Sequence, residues 1–149
     1  MSWYVDVILP LPLGGSFTYR LPQEYADTIQ TGSRVVVQFG VRRYYTALVL
    51  HKHTDAPQSN YDIKDVVEVL DTTPIVQPMQ LKLWQWIADY YMCALGDVYK
   101  AALPSGLKLE SETVVTLNDD FIAEAPLRDR EQKILDSLST NPKQRVQQL

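Results

Sequence analysis

Apolar residues change their spacing several times along this chain. Trp3 to Leu9 (WYVDVIL) mixes β-branched and aromatic residues and predicts a strand, with Asp6 marking a wet face. Pro10 and Pro12 stop it, because proline has no amide to donate to a ladder. Gly14-Gly15 reads as a loop apex. Ser16 to Leu21 (SFTYRL) sets Phe17, Tyr19 and Leu21 on one side and Ser16, Thr18 and Arg20 on the other, the alternation of a half-buried strand. Pro22 to Ser33 is turn-rich, and Gly32 suits a positive-φ turn. Arg34 to Phe39 (RVVVQF) predicts a strand covered on both faces. A short link through Gly40, Arg42 and Arg43 makes a hairpin with Tyr44 to His51 (YYTALVLH). Thr54 to Tyr61 is a polar loop, and Lys64 to Leu70 (KDVVEVL) is a fifth strand closed by Asp71 to Pro74. Five short strands at this spacing predict a small antiparallel sheet that curls into a barrel or half-barrel.

The period then becomes helical. Pro78 suits the first position of a helix. Leu81, Trp84, Ile87, Ala88 and Tyr91 recur on one face and predict a helix that covers an open side of the sheet. Gly96 is expected to interrupt it. Asp97 is expected to cap a short helix from Val98 to Leu103, and Pro104-Ser105-Gly106 to end the folded unit. Beyond Gly106 the texture changes again. Glu112 to Leu117 (ETVVTL) reads as a strand. Leu127 to Leu138 reads as an amphipathic helix with Leu127, Glu131, Ile134, Leu135 and Leu138 near one face. Asn141-Pro142-Lys143 reads as a turn and Arg145 to Leu149 as the start of another helix. So short a segment cannot bury a core by itself, and it reads as a second domain cut short. The expected class is α+β: a barrel-like sheet of about five strands capped by C-terminal helices, then a truncated second domain. The boundary is expected near residue 106.

Composition narrows the function classes. The chain has 149 residues, 46% of them hydrophobic, enough for a sizeable core. The formal net charge is -4. Residues 1–106 carry eight Lys/Arg against ten Asp/Glu, and the remainder six against eight. Neither part has the basic excess of a groove that tracks a phosphate backbone, although a small pocket for one nucleotide needs none. The start MSWYVDVILPLPLGG lacks a basic n-region and is cut by Asp6 and two prolines, so it reads as neither signal peptide nor membrane span. The single cysteine, Cys93, excludes an internal disulfide and any multi-cysteine zinc site. Inside an amphipathic helix it is expected to be packed and inert, which suits a reducing cytoplasm. His51 and His53 share a strand face with no third ligand nearby and are expected to be solvated. There is no GxxxxGK[ST], GxSxG, HExxH or GxGxxG, and no carboxylate pair that reads as acid and base. An enzyme reading of this piece has little support.

Four segments stand in a telling order: VILPLPLGGSFTYRLP, TGSRVVVQFGVRRYYTALVL, IKDVVEVLDTTPIV and WIADYYMCALGDVYKAALP. Each is weak alone. Together, over residues 3 to 105, they resemble the N-terminal region of the PriA family of replication-restart helicases (primosomal protein N′). The resemblance implies a 3′ DNA-binding domain over residues 1–106, which holds the 3′ end of a nascent leading strand at a stalled fork. It implies a winged helix beginning within 107–149. The ATPase core, with its need for ATP, Mg and Zn, would lie beyond Leu149, so this piece would bind DNA without catalysing. Single-stranded DNA-binding protein and primosome proteins would be partners of the whole, and no membrane is implied.

The family's end-binding pocket carries over onto Phe17, Thr18 and Tyr19, onto Phe39 and Gly40, and onto Lys64. Thr18 stands where the family has Asp, so it brings a hydroxyl in place of a charge. The residues also allow plainer readings: Phe17 and Tyr19 as core, Gly40 as a hairpin glycine, Lys64 as a solvated strand-start lysine, and Arg42 and Arg43 as exposed hairpin charge. The rival function is a protein-interaction module that docks through the Tyr44–Tyr45 hairpin or the Trp84/Trp86 helix.

Overall fold

The computed structural model describes residues 2–57, 62–108, 114–118, 126–140 and 142–145. The chain divides into two compact units, Met1–Ser111 and Glu112–Leu149. In the first, five strands form one antiparallel sheet: β1 (Trp3–Ile8), β2 (Phe17–Leu21), β3 (Arg34–Phe39), β4 (Arg43–His53) and β5 (Val66–Val69). Their order is β2-β1-β4-β3-β5. The two outer strands approach each other at one point, where Arg20 and Asp65 form a parallel bridge and the Arg20 amide donates to the Lys64 carbonyl at 2.9 Å. The sheet therefore curls into the barrel-like form that the strand spacing predicts. Strand β4 is longer than expected. Strand β5 begins only at Val66, so Lys64 lies in the run leading into it. The expected loop Thr54 to Tyr61 is open chain as far as Pro57, and its last four residues lie outside the described residues.

Alternation along the strands builds two cores. Val5, Val7, Tyr19, Val35, Val37, Ala47 and Val49 fill the inside of the curl. Ile8 and Leu48, facing the other way, meet Val76, Trp84, Ala88, Val98, Tyr99 and Leu103. These last residues belong largely to two helices, α1 (Pro78–Tyr91) and α2 (Leu95–Ala102), which cover the outer face of β1 and β4. Burying a side chain such as Trp84 or Leu48 stabilises the unit by about 1.5–3 kcal/mol each. The Tyr99 hydroxyl donates to the Thr46 carbonyl at 2.9 Å, which satisfies its polar end in the core. An ion pair ties the start of β3 to the chain leaving β5. Arg34 Nε and Nη2 donate to the two oxygens of Asp71 at 2.8 Å each, the Arg34 amide donates to the same carboxylate, and Nη1 reaches the Leu107 carbonyl at 2.7 Å. These hydrogen bonds hold the Asp71 carboxyl below the usual carboxylate range.

The helical hairpin departs from the expectation. Helix α1 ends at Met92, which takes the left-handed conformation with φ 51°, and the Cys93 amide closes back onto the Ala88 carbonyl at 3.0 Å. Gly96 does not break the helix. It sits in the first turn of α2, where a Cβ would stand 2.1 Å from the Leu11 carbonyl oxygen and 2.4 Å from that of Leu9. Glycine is there so that α2 can lie directly on the chain leaving β1. Asp97 caps α2 from inside its first turn by accepting the Ala94 amide at 3.2 Å, so the helix starts at Leu95, ahead of Val98. Two side chains also move from their expected places. Tyr91 is 68% exposed, because Trp84 and Ala88 already fill the contact with the sheet, and Cys93 is exposed just past the left-handed turn.

In the second unit, β6 (Val114–Thr116) pairs antiparallel with β7 (Lys143–Arg145), with α3 (Asp129–Thr140) between them in sequence. Glu131 caps α3 by accepting the Arg128 amide at 2.8 Å. Leu138 is buried, Leu127 and Leu135 are half-buried, and Glu131 and Ile134 are exposed. Gln144 is buried and paired both ways: it accepts from Ser137 Oγ at 3.1 Å and donates to the Ser137 carbonyl at 2.7 Å. Arg145 therefore belongs to a strand where a helix start was expected, because pairing with β6 overrides local propensity. The rest of that expected helix, like residues 112 and 113 of the expected strand, lies outside the described residues.

Candidate nucleic-acid interface

At one end of the curl, β2, the β3–β4 turn and the run into β5 enclose a pocket of about 370 Å³. Its lining is Phe17, Thr18, Tyr19, Gln38, Phe39, Gly40, Asp62, Ile63 and Lys64. All six residues singled out from the sequence thus stand around one cavity. Three segments far apart in the chain meet there because β2 and β5 are the two ends of the strand order.

The aromatic floor is fixed by contacts among its own rings. Phe17 meets Phe39 edge to face, with ring centroids 5.0 Å apart at 71°, and Phe39 meets Tyr45 the same way at 6.5 Å. Tyr19 is 5% exposed and donates its hydroxyl to the Gln38 carbonyl at 3.1 Å. Burial pushes its pKa up to about 12, so it stays a neutral donor across the ordinary pH range. Phe17, Tyr19 and Phe39 pack on the inner core, as the plain reading has it for the first two, and they also line the cavity.

The turn above the floor is braced by side chains. Gln38 Nε2 donates to the Val41 carbonyl at 2.6 Å, and Lys64 Nζ donates to the Gly40 carbonyl. Gly40 takes φ 72°, which the hairpin needs, and a Cβ built on it would meet nothing within 4 Å. The turn therefore selects glycine for its conformation and leaves open space over the backbone at the rim. Thr18 donates its hydroxyl to Asp6 Oδ1 on β1 at 2.6 Å. Among the lining residues Lys64 supplies one positive charge and Asp62 one negative charge, so the cavity is nearly neutral. It offers ring faces and edges, backbone polar groups and one ammonium. That set can hold a planar ring and a polar substituent by fit.

Three lining residues were not singled out from the sequence: Gln38, Asp62 and Ile63. A glutamine closing a valine-rich strand was a usable signal. Asp62 and Ile63 sit in open chain before β5 and had none. Arg42 and Arg43 are exposed beside the turn and do not line the pocket. His51 is exposed as expected. His53 is not solvated: it is half-buried, stacks between the rings of Tyr4 at 6.0 Å and His51 at 5.7 Å, and sets Nε2 3.4 Å from Asp6 Oδ1. Among the described residues no group of three or more His, Cys, Asp or Glu could hold a metal ion, and no helix is long and apolar enough to cross a membrane.

Residues 112–149 match the family described as winged helix domain. Replication restart protein PriA of Haemophilus influenzae is 33% identical over 115 residues, 77% of this chain and 15% of that protein. The protein of that name from Treponema pallidum is 29% identical over 108 residues, 70% of this chain and 16% of its own length. The one from Bacillus subtilis is 30% identical over 96 residues, covering 64% and 12%. The chain thus spans about a sixth or less of these curated relatives. Residues 6–104, which hold both covering helices and the sheet apart from the first half of β1, match the family described as 3′DNA-binding domain (3′BD), and the chain belongs to that PriA-type family.

Proposed function

We propose that the pocket takes the 3′-terminal nucleotide of a DNA strand, and that this chain is the N-terminal part of an ATP-dependent 3′-to-5′ DNA helicase that restarts replication at stalled or branched forks. The observation that carries the reading is the convergence of Phe17, Thr18, Tyr19, Phe39, Gly40 and Lys64 on one nearly neutral cavity. Residues 1–106 are the end-binding domain in this reading, and 107–149 begin the winged helix. ATP, Mg and Zn belong to parts of the protein outside this chain. Single-stranded DNA-binding protein and primosome proteins are the partners of the whole, in the cytoplasm.

A strand end is recognised here by enclosure. One base stacked on the aromatic floor contributes about 1–3 kcal/mol, and each hydrogen bond about 0.5–1.5 kcal/mol. Such a sum is weak alone. Linkage to other DNA-binding domains raises it by effective concentration. The test is fluorescence anisotropy with one oligonucleotide ended either by a free 3′-hydroxyl or by a 3′-phosphate. The hydroxyl form should bind more tightly, with a salt slope of about one or two ions. Equal affinity for the two ends would overturn the reading.

One observation favours the rival reading, docking of a replisome protein. Trp86 is 59% exposed on α1 and stacks on Tyr90, with centroids 5.2 Å apart. Trp84 is buried and takes no part in such a surface. That reading requires Trp86→Ala to abolish binding of a purified partner, such as single-stranded DNA-binding protein, while the choice between 3′ ends is absent from the start.

A further inference from the structure

We propose that Asp6, which lies outside the pocket on the neighbouring strand, is a positioning residue that sets the hydrogen-bond polarity of the Thr18 wall; the inference rests on the end-binding reading. Asp6 and Thr18 face each other directly across the β1–β2 pair. The Thr18 hydroxyl has one hydrogen, and it is committed to Asp6 Oδ1 at 2.6 Å. What remains on Thr18 is lone pairs. To a ligand it is an acceptor only. A free 3′-hydroxyl has a hydrogen to give such an acceptor. A terminal phosphate offers mainly acceptor oxygens, and it brings negative charge toward the Asp6 carboxylate behind the wall. One pair of side chains thus favours a hydroxyl end and disfavours a phosphorylated one.

The surroundings keep Asp6 aimed at Thr18. The β1–β4 register slips at this point: Asp6 pairs with His51 but Val7 pairs with Val49, so Leu50 is the extra residue of a bulge. Bulges re-aim the side chains beside them. The neighbouring cation on β4, Lys52, is drawn elsewhere, to the Ala26 carbonyl at 2.8 Å and over the Trp3 ring. His53 Nε2 also stands 3.4 Å from that oxygen, farther away than the 2.6 Å of the threonine contact.

The experiment compares hydroxyl- and phosphate-ended oligonucleotides by anisotropy for the wild-type chain, Asp6→Ala, Thr18→Val, Thr18→Ser and the double variant Asp6→Ala/Thr18→Val. Losing Asp6 frees the Thr18 hydrogen to donate to phosphate. The wild-type preference for the hydroxyl end should then fall about three- to tenfold, the size of one hydrogen bond. Thr18→Val should lose a similar factor, the double variant no more than either single one, and Thr18→Ser should keep more of the preference than Thr18→Val. Should Asp6→Ala fold poorly by thermal melting, Asp6→Asn serves, since its amide can donate to Thr18 and turn the hydroxyl around. If the wild type discriminates but removing the Asp6 carboxylate leaves the ratio unchanged, or if the two losses simply add, this inference falls and the end-binding reading stands. If the wild type shows no preference, both fall together.

Discussion

Two clusters of three aromatic rings stand on different elements of the first unit, and they are built differently. Around the pocket, Phe17, Phe39 and Tyr45 meet edge to face, are rooted in the inner core, and are surrounded by Tyr19, Gln38 and Lys64 with hydrogen bonds to specific carbonyls. On α1, Trp86, Tyr90 and Tyr91 also meet in pairs, at 5.2 and 5.0 Å, yet they project from the helix into solvent. Beside them Gln85 Nε2 donates to Asp89 Oδ1 at 2.9 Å, one turn along the same helix. Ring contacts alone therefore do not distinguish the two regions. What separates the two is convergence: the pocket gathers polar groups from three segments, whereas the helical ridge draws on consecutive turns of one helix.

Breaking the supports beneath each region should have the largest effects. At the end of β3 away from Gly40, Asp71→Ala leaves Arg34 uncompensated and should cost about 3–4 kcal/mol in urea unfolding. The same pair predicts acid sensitivity. Because the Asp71 carboxyl is held below its ordinary value of about 3.9, its contribution is complete above that pH and is lost as pH falls through the lowered value. Wild-type stability should therefore drop more steeply below about pH 4 than that of Asp71→Ala. On the helical side, Gly96→Val forces a side chain into the Leu9 and Leu11 carbonyls and should cost about 3 kcal/mol by the same measurement.

Smaller changes sharpen the contrast between the two ring clusters. Phe39→Ala removes the ring shared by Phe17 and Tyr45. It should cost about 2 kcal/mol of stability and weaken binding of a free 3′ end about tenfold in anisotropy. Lys64→Ala should weaken that binding by about threefold and change stability by under about 0.5 kcal/mol, since the residue is exposed. Trp86→Ala, despite removing the largest ring, should stay within about 0.5 kcal/mol and leave 3′-end binding alone. If Trp86→Ala weakened end binding as much as Phe39→Ala, the contrast drawn between the clusters would be wrong.

The strands were legible because β-branched and aromatic runs stand between turn residues, with period-2 alternation cleanest in FTYRL. The helix boundary was not. A glycine inside an apolar run reads as a break, but Gly96 answers to a backbone 85 residues earlier, and Met92 adopts a left-handed turn for which methionine gives no local warning. Strand β7 was misread because its partner, β6, lies some thirty residues away and pairing decided its form. In the pocket, the six residues were named through family resemblance. Periodicity alone gave Phe17 and Tyr19 as core, which they also are. Asp62 and Ile63 could not be named because open chain carries no period, and the Asp6–Thr18 pair needed the strand register.

The junction of β2 with β5 has a mechanical consequence. Along most of the barrel, neighbouring strands are laced along several residue pairs, but here β2 and β5 meet at an isolated bridge, where the Arg20 amide donates to the Lys64 carbonyl. The cavity opens beside that seam, with Tyr19 on one lip and Lys64 on the other. A guest touching both lips would itself become the missing lacing, so occupancy should slow amide exchange at Arg20 and draw the staves of the barrel together.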